Sequence, residues 1–233
     1  MPTLEPVASP VAVDVVPFDL WPVASPDPAW LRLHGQMTPA EVGMAVWAIL
    51  FGSRPVDEVP VRETPAAALS LLSDLDHLYL PGGFLVVDQT TGVTVEPGCC
   101  CDIGDWREWL HTLDGRGVFL GDYPSPEFEF LGDVVRVWTD DGSITRQPPR
   151  RGVLDVLRLR RRPEPQPAQP EDSRQYVDLD RSALPDLLRA AQHDLIGFLT
   201  VLRAWVDEVA PEQADRFVAA VDKGLEITAP LPR

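Results

Sequence analysis

Apolar positions change their spacing repeatedly along this chain, and each change marks an element. In TPAEVGMAVWAILFG, residues 38–52, Thr38 can cap a helix, Pro39 suits its first position, Glu41 completes a capping box and Gly52 stops it. Val42, Val46, Trp47, Ile49 and Leu50 are its expected buried side. A second helix is predicted over 65–78, with Leu69, Leu72 and Leu75 inward. From residue 83 the period falls to two: GFLVVDQTTGVTVEPG predicts a hairpin turning at Asp88–Gly92. DVVRVWTDDGSITRQ predicts another around Asp140, Asp141 and Gly142, with Val135, Val137 and Thr139 on one face and Val134, Arg136 and Trp138 on the other. DIGDWREWLHTLDG between them reads as a helix, and VFLGDYPSPEFEFLG as a short strand with proline-broken ends.

Beyond residue 176 the period lengthens again. Leu184, Leu188, Ala191, Leu195, Phe198, Leu202, Trp205 and Val209 recur at alternating steps of four and three, the seam of one long helix of roughly 40 Å. Pro211 opens a second helix with Phe217, Val218, Val221 and Leu225 inward, which makes the C-terminus an αα-hairpin. The short second helix cannot cover the whole seam. The main body or a second copy of the chain must cover the rest, and of the two a homodimer through Leu188, Leu195 and Leu202 is the favoured expectation.

Proline divides the remainder. Pro2, Pro6, Pro10, Pro17, Pro22, Pro26 and Pro28 predict an extended N-terminal arm over 1–30, pinned by Phe18, Trp21 and Trp30. Pro163, Pro165, Pro167 and Pro170 predict a semi-rigid linker over 161–176. The expected organisation is an arm (1–30), an α+β domain (31–160), the linker (161–176) and a helical hairpin (177–233). Its fold class is α+β, with N-terminal helices and a central antiparallel sheet of hairpins.

Composition adds a core and a sign. Forty-five per cent of the 233 residues are apolar and seven are tryptophan, enough to fill a core. No run is long and apolar enough for a membrane span, and the N-terminal stretch carries Glu5, Asp14 and Asp19 with no basic residue, the wrong polarity for a signal peptide. Three adjacent cysteines fit a reducing compartment, so a cytoplasmic location is expected. The net charge of −16 repels nucleic acid and anionic lipid and favours a basic protein partner. Residues 150–162 run against it, with six arginines and Asp155, and are expected to pair with the protein's own acids.

Known catalytic patterns are absent: the sequence has no GxSxG, GxxxxGK, HExxH or GxGxxG. Cys99, Cys100 and Cys101 lack the spaced pairs with which a loop wraps zinc, and Asp102, Asp105 and Glu108 oppose a thiolate there. The expectation is that the thiols fill a tight corner and that no metal or cofactor binds. Trp106 and Trp109 share a helical face, as core or as the wall of a groove for a ligand or peptide. The acids Asp122, Glu127, Glu129, Asp133, Asp140 and Asp141 cluster against Arg136 alone and are the candidate docking surface for the basic partner.

The run LYLPGGFLVVDQTTGVTVEPGCCCDIGDWREW, followed by VVRVWTDD, resembles a stretch of uncharacterised actinobacterial cytoplasmic proteins over residues 78–141. Its helix-then-hairpin order is similar to that of bacterial immunity proteins of the SUKH type. That resemblance implies a non-enzymatic module that neutralises a toxin through an acidic face. The alternative expectation is a ligand-binding protein or enzyme built on Trp106, Trp109 and nearby carboxylates.

Overall fold

The computed structural model describes residues 1–9, 19–25, 30–53, 64–122, 124–140 and 174–232. The expected N-terminal arm begins instead as β1 (Pro2–Ala8), which pairs antiparallel with β3 (Gly82–Asp88) over its whole length, from Pro2 opposite Asp88 to Ala8 opposite Gly82. Proline belongs in a strand only where its missing N–H faces no ladder partner. Pro6 meets that condition, because its carbonyl accepts from Leu33 N–H (2.9 Å) on the side away from β3. Pro2, four residues earlier, faces the same way. On that side β2 (Leu31–Arg32) covers only Val7 and Ala8, while β4 (Thr94–Val95) completes the sheet beyond β3 in the order β2-β1-β3-β4. Gly82 lets the strands meet, since a Cβ there would sit 2.1 Å from the Val7 carbonyl oxygen.

A second antiparallel sheet has the order β5-β6-β7, with β5 (Glu127–Leu131), β6 (Val134–Trp138) and β7 (Tyr176–Asp180). Leu131 opposite Val134 leaves a two-residue turn at Gly132 and Asp133, and Gly132 supplies the left-handed backbone it needs (φ 63°). The expected hairpin tip at Asp141–Gly142 lies outside the described residues, as do the arginines of 150–162. On that side the partner of β6 is β7, paired from Trp138 opposite Tyr176 to Val134 opposite Asp180. The alternation holds: Val135, Val137, Val177 and Leu179 are buried, while Arg136, Trp138, Tyr176 and Asp178 face outward.

The helices close the core between them. α1 (Pro39–Gly52) begins with the expected capping box, Glu41 accepting from Thr38 N–H at 2.7 Å and Thr38 from Glu41 N–H at 3.3 Å. Every residue from Val42 to Leu50 is buried, so this is a central helix enclosed on all sides. α2 (Pro65–Ser73) is shorter than expected and buries Leu69 and Leu72. The tryptophan-bearing helix is a 3-10 helix, Ile103–Asp114. α3 (Leu184–Val209) runs for 26 residues, about 39 Å, and lies against β1, α1, the 3-10 helix and the antiparallel α4 (Ala214–Leu225).

Leu184, Leu188, Ala191, Leu195, Phe198 and Leu202 are completely buried within this one chain. The seam thus faces the body of the protein, and Leu188, Leu195 and Leu202 are core positions in place of dimer contacts. β7 and α3 share one apolar cluster with β1, α1 and β3, so the expected linker does not separate two cores. Among the described residues no helix is long and apolar enough to cross a membrane. Leu195→Ala is expected to lower the free energy of unfolding by about 2–5 kcal/mol in a urea titration. The mass measured by light scattering should stay that of wild type. A variant that shifts the mass and leaves the midpoint alone would return the seam to an interface between chains.

Candidate functional site

The solvent side of the β5-β6-β7 sheet carries three cross-strand rows. Glu127, Trp138 and Tyr176 form one, Glu129, Arg136 and Asp178 the next, and Leu131, Val134 and Asp180 the third. Arg136 is the hub. Its Nε and Nη2 donate to the two carboxylate oxygens of Asp178 at 2.7 and 3.0 Å, and its Nη1 lies 3.9 Å from Glu129. The bidentate bond to Asp178 holds the guanidinium pKa above its ordinary value. The same guanidinium lies 3.8 Å from the Tyr176 ring centre and 5.4 Å from that of Trp138, whose rings meet edge to face at 4.9 Å. The Arg174 guanidinium lies 5.1 Å from the Trp138 ring centre and pairs with Glu127 at 3.1 Å. Trp138 Nε1 donates to Glu129 at 3.0 Å.

This geometry redistributes the acidic cluster. Glu127 and Glu129 are engaged by Arg174 and Arg136, and Arg174 escaped the sequence count because it lies 47 residues from Glu127. Asp133 occupies the β5–β6 turn and Asp140 follows the other end of β6, roughly 23 Å away along the strand. Asp140 accepts from Ser125 N–H at 3.2 Å, Asp122 is exposed in its loop, and Asp141 lies outside the described residues. The five described carboxylates therefore do not form one patch; what is continuous is the aromatic and arginine surface between them.

Trp106 and Trp109 are core. They are 2% and 4% exposed. Trp106 Nε1 donates to the Leu225 carbonyl at 2.9 Å, and Trp109 packs edge-on against Phe84 and Phe128 at 5.6 and 5.3 Å. The space beside them is about 20 Å³, room for about one water, so the described residues leave no ligand groove there. The cysteines divide: Cys99 and Cys100 are exposed and Cys101 is buried, so only one of the three fills the expected corner. Among the described residues no three His, Cys, Asp or Glu side chains are grouped to hold a metal ion.

Asp102, read in the sequence only as an acid opposing a thiolate, has a structural role that was missed there. It caps the 3-10 helix, its Oδ1 accepting from Gly104 N–H (2.9 Å) and Leu80 N–H (3.2 Å), and is 8% exposed. Its Oδ2 lies 3.5 Å from His77 Nε2. His77 lines an open cleft of about 480 Å³ between α2 and α4, with Asp76, Asp105, Arg216, Lys223 and Glu226 around the rim. Burial raises the Asp102 pKa, against the pull of its two N–H donors; Asp105 adds to the rise and His77 opposes it. An Asp immediately before a helix start is the signal that was available in CDIGDW.

No family model matches the chain, and no solved structure matches it. Over 103 residues it is 26% identical to the biotin synthase of Syntrophotalea carbinolica (strain DSM 2380 / NBRC 103641 / GraBd1), covering 44% of this chain and 32% of that protein. The chain thus matches about a third of that relative's length.

The raised Asp102 pKa has a defined consequence for stability. Above its ordinary value of 3.8 the unfolded chain releases this proton before the folded chain does, so stability falls as pH rises from there through the folded value. Asp102→Asn keeps the Oδ1 acceptor and removes the charge. Chemical denaturation between roughly pH 4 and 7 should show that component of the fall abolished in the variant. Identical pH profiles for the two proteins would refute it.

Proposed function

We propose that this protein is a binding module for a basic protein surface, and that the open face of the β5-β6-β7 sheet is where the partner docks. The observation that supports this most strongly is the Trp138–Arg136–Tyr176 arrangement on a solvent-facing sheet. Tryptophan, tyrosine and arginine are the residues that most often dominate interface energetics. Here they are held rigid in advance by Asp178, Glu129 and the edge-to-face ring contact, which reduces the ordering cost of binding. The net charge of −16 supplies long-range attraction, and Asp133 in the β5–β6 turn is exposed at the end of the sheet. A basic toxin, the partner implied by the SUKH-type resemblance, fits this chemistry.

A second reading follows from the 480 Å³ cleft, whose rim mixes His77, Arg216 and Lys223 with three carboxylates. A small polar ligand bearing both charges would suit it, with buried Asp102 orienting His77. Saturable shifts of the His77 ring resonances on adding such a compound would separate this reading from the first.

The docking face is tested by pull-down and binding kinetics. Wild-type bait and the Trp138→Ala/Tyr176→Ala double variant are compared on host extract, and the purified captured protein is then measured against both. Losing these two side chains is expected to weaken binding at least about 30-fold, corresponding to roughly 2 kcal/mol for a single dominant anchor. Because both side chains lie on an exposed face, the melting temperature should move by only a few degrees. The association rate of wild type should fall steeply with salt while dissociation changes little. A partner that binds the double variant equally well, or associates at a rate indifferent to salt, would sink the proposal.

A further inference from the structure

Consecutive residues in an extended segment direct their side chains to opposite sides. Cys99 and Cys100 do not follow that rule. Cys100 has a left-handed backbone, φ 68°, which residues bearing a Cβ seldom adopt, and the turn brings its sulfur to 3.5 Å from that of Cys99, to which it donates a hydrogen bond. The fold holds this turn from both sides. Gly98 N–H donates to the Leu120 carbonyl at 2.6 Å, and Asp122 N–H to the Cys99 carbonyl at 3.3 Å. The backbones of Gly98 and Gly121 cross so closely that a Cβ on Gly121 would lie 2.5 Å from Gly98. Both residues are exposed, whereas Cys101 is buried and its thiol pKa is pushed up to about 12, chiefly by burial.

We propose that Cys99 and Cys100 are a reversible modification site, closing into a disulfide between neighbouring residues under a hydroperoxide and reopening under a low-molecular-weight thiol. The Cys99 sulfur attacks the peroxide oxygen, the O–O bond breaks, and a sulfenic acid and one water (from hydrogen peroxide) result. The Cys100 sulfur then displaces that hydroxyl as a second water. Two thiols are oxidised by two electrons, and one peroxide is reduced to two waters. The reverse step takes two small thiols and yields their disulfide.

Reversibility follows from the chain itself. Adjacent Cα atoms stand about 3.8 Å apart, short of the roughly 4.4–6.8 Å that a relaxed disulfide spans. A strained, exposed disulfide is the readily reduced kind. The Cys100 thiol is held above its ordinary value first by the hydrogen bond to Cys99 and also by Asp122. The smaller thiolate fraction this leaves at Cys100 makes it poorly suited to act as a catalytic nucleophile.

The full chain is treated with hydrogen peroxide, alkylated without denaturation, and examined by intact mass and peptide mapping. The expected product lacks two hydrogens, joins Cys99 to Cys100, leaves Cys101 a free thiol, and returns to the dithiol in reduced glutathione. Cys99→Ser and Cys100→Ser should each abolish the product, and Cys101→Ser should retain it. In the reduced protein, phenylarsine oxide should bind once per chain and fail to bind either single variant. Over-oxidation of either sulfur without the internal bond, a bond involving Cys101 or a second chain, thiols that persist unchanged, or a disulfide that glutathione leaves closed would each overturn the proposal.

Discussion

Burial of one face of α3 along nearly its whole length decides where the other elements can lie. A helix of 26 residues whose Leu184, Leu188, Leu195, Phe198 and Leu202 are fully removed from water needs a complementary surface just as long. No single neighbour supplies it. β1, α1, the 3-10 helix and α4 each cover part, and Trp21 against Trp205, 5.3 Å apart and edge to face, locks the chain leading into α1 onto the helix's far end. Polar ties fix the remaining end: Gln192 donates to the Ile227 and Ala229 carbonyls, and Trp106 to that of Leu225. The Trp106 bond satisfies a carbonyl in the last turn of α4, and the Gln192 bonds hold the segment that follows it.

Periodicity alone was enough to recover the helices, the seam and the inward face of β6. The capping box at Thr38 and Glu41 was legible because it is a local arrangement of four residues. What escaped was long-range. Proline-rich spacing made 1–30 look like an arm, since the side on which Pro6 lacks its N–H is visible only once β3 is in place. The seam looked like an interface because the surfaces that cover it are scattered from residue 2 to residue 225, each too short to announce itself.

The candidate surface shows the same division. Arg136 and Trp138 could be placed on the outer face of a strand from alternation alone. Their setting could not, because Tyr176 and Asp178, with Arg174 just ahead of them, arrive on a strand separated from β6 by nearly forty residues, and they convert a supposed acidic patch into an aromatic one whose acids are partly offset by arginine. Counting charge along a segment overstates its field whenever the compensating cations come from elsewhere. Likewise the three cysteines read as one group, yet the left-handed turn at Cys100 sorts them into two facing water and one facing the core.

The position of β1 also bears on events during synthesis. Its partner β3 follows about eighty residues later and α3 about a hundred after that, so at translation rates of roughly 5–20 residues per second β1 waits several seconds for its first ladder and longer for its core. An apolar segment left unpaired for that time could template on another nascent chain. Pro2 and Pro6 lack the N–H groups that such a template would require along one edge, the edge β3 does not use. The two prolines that disguise the strand in the sequence thereby weaken one of its two edges as a template and leave the other for β3.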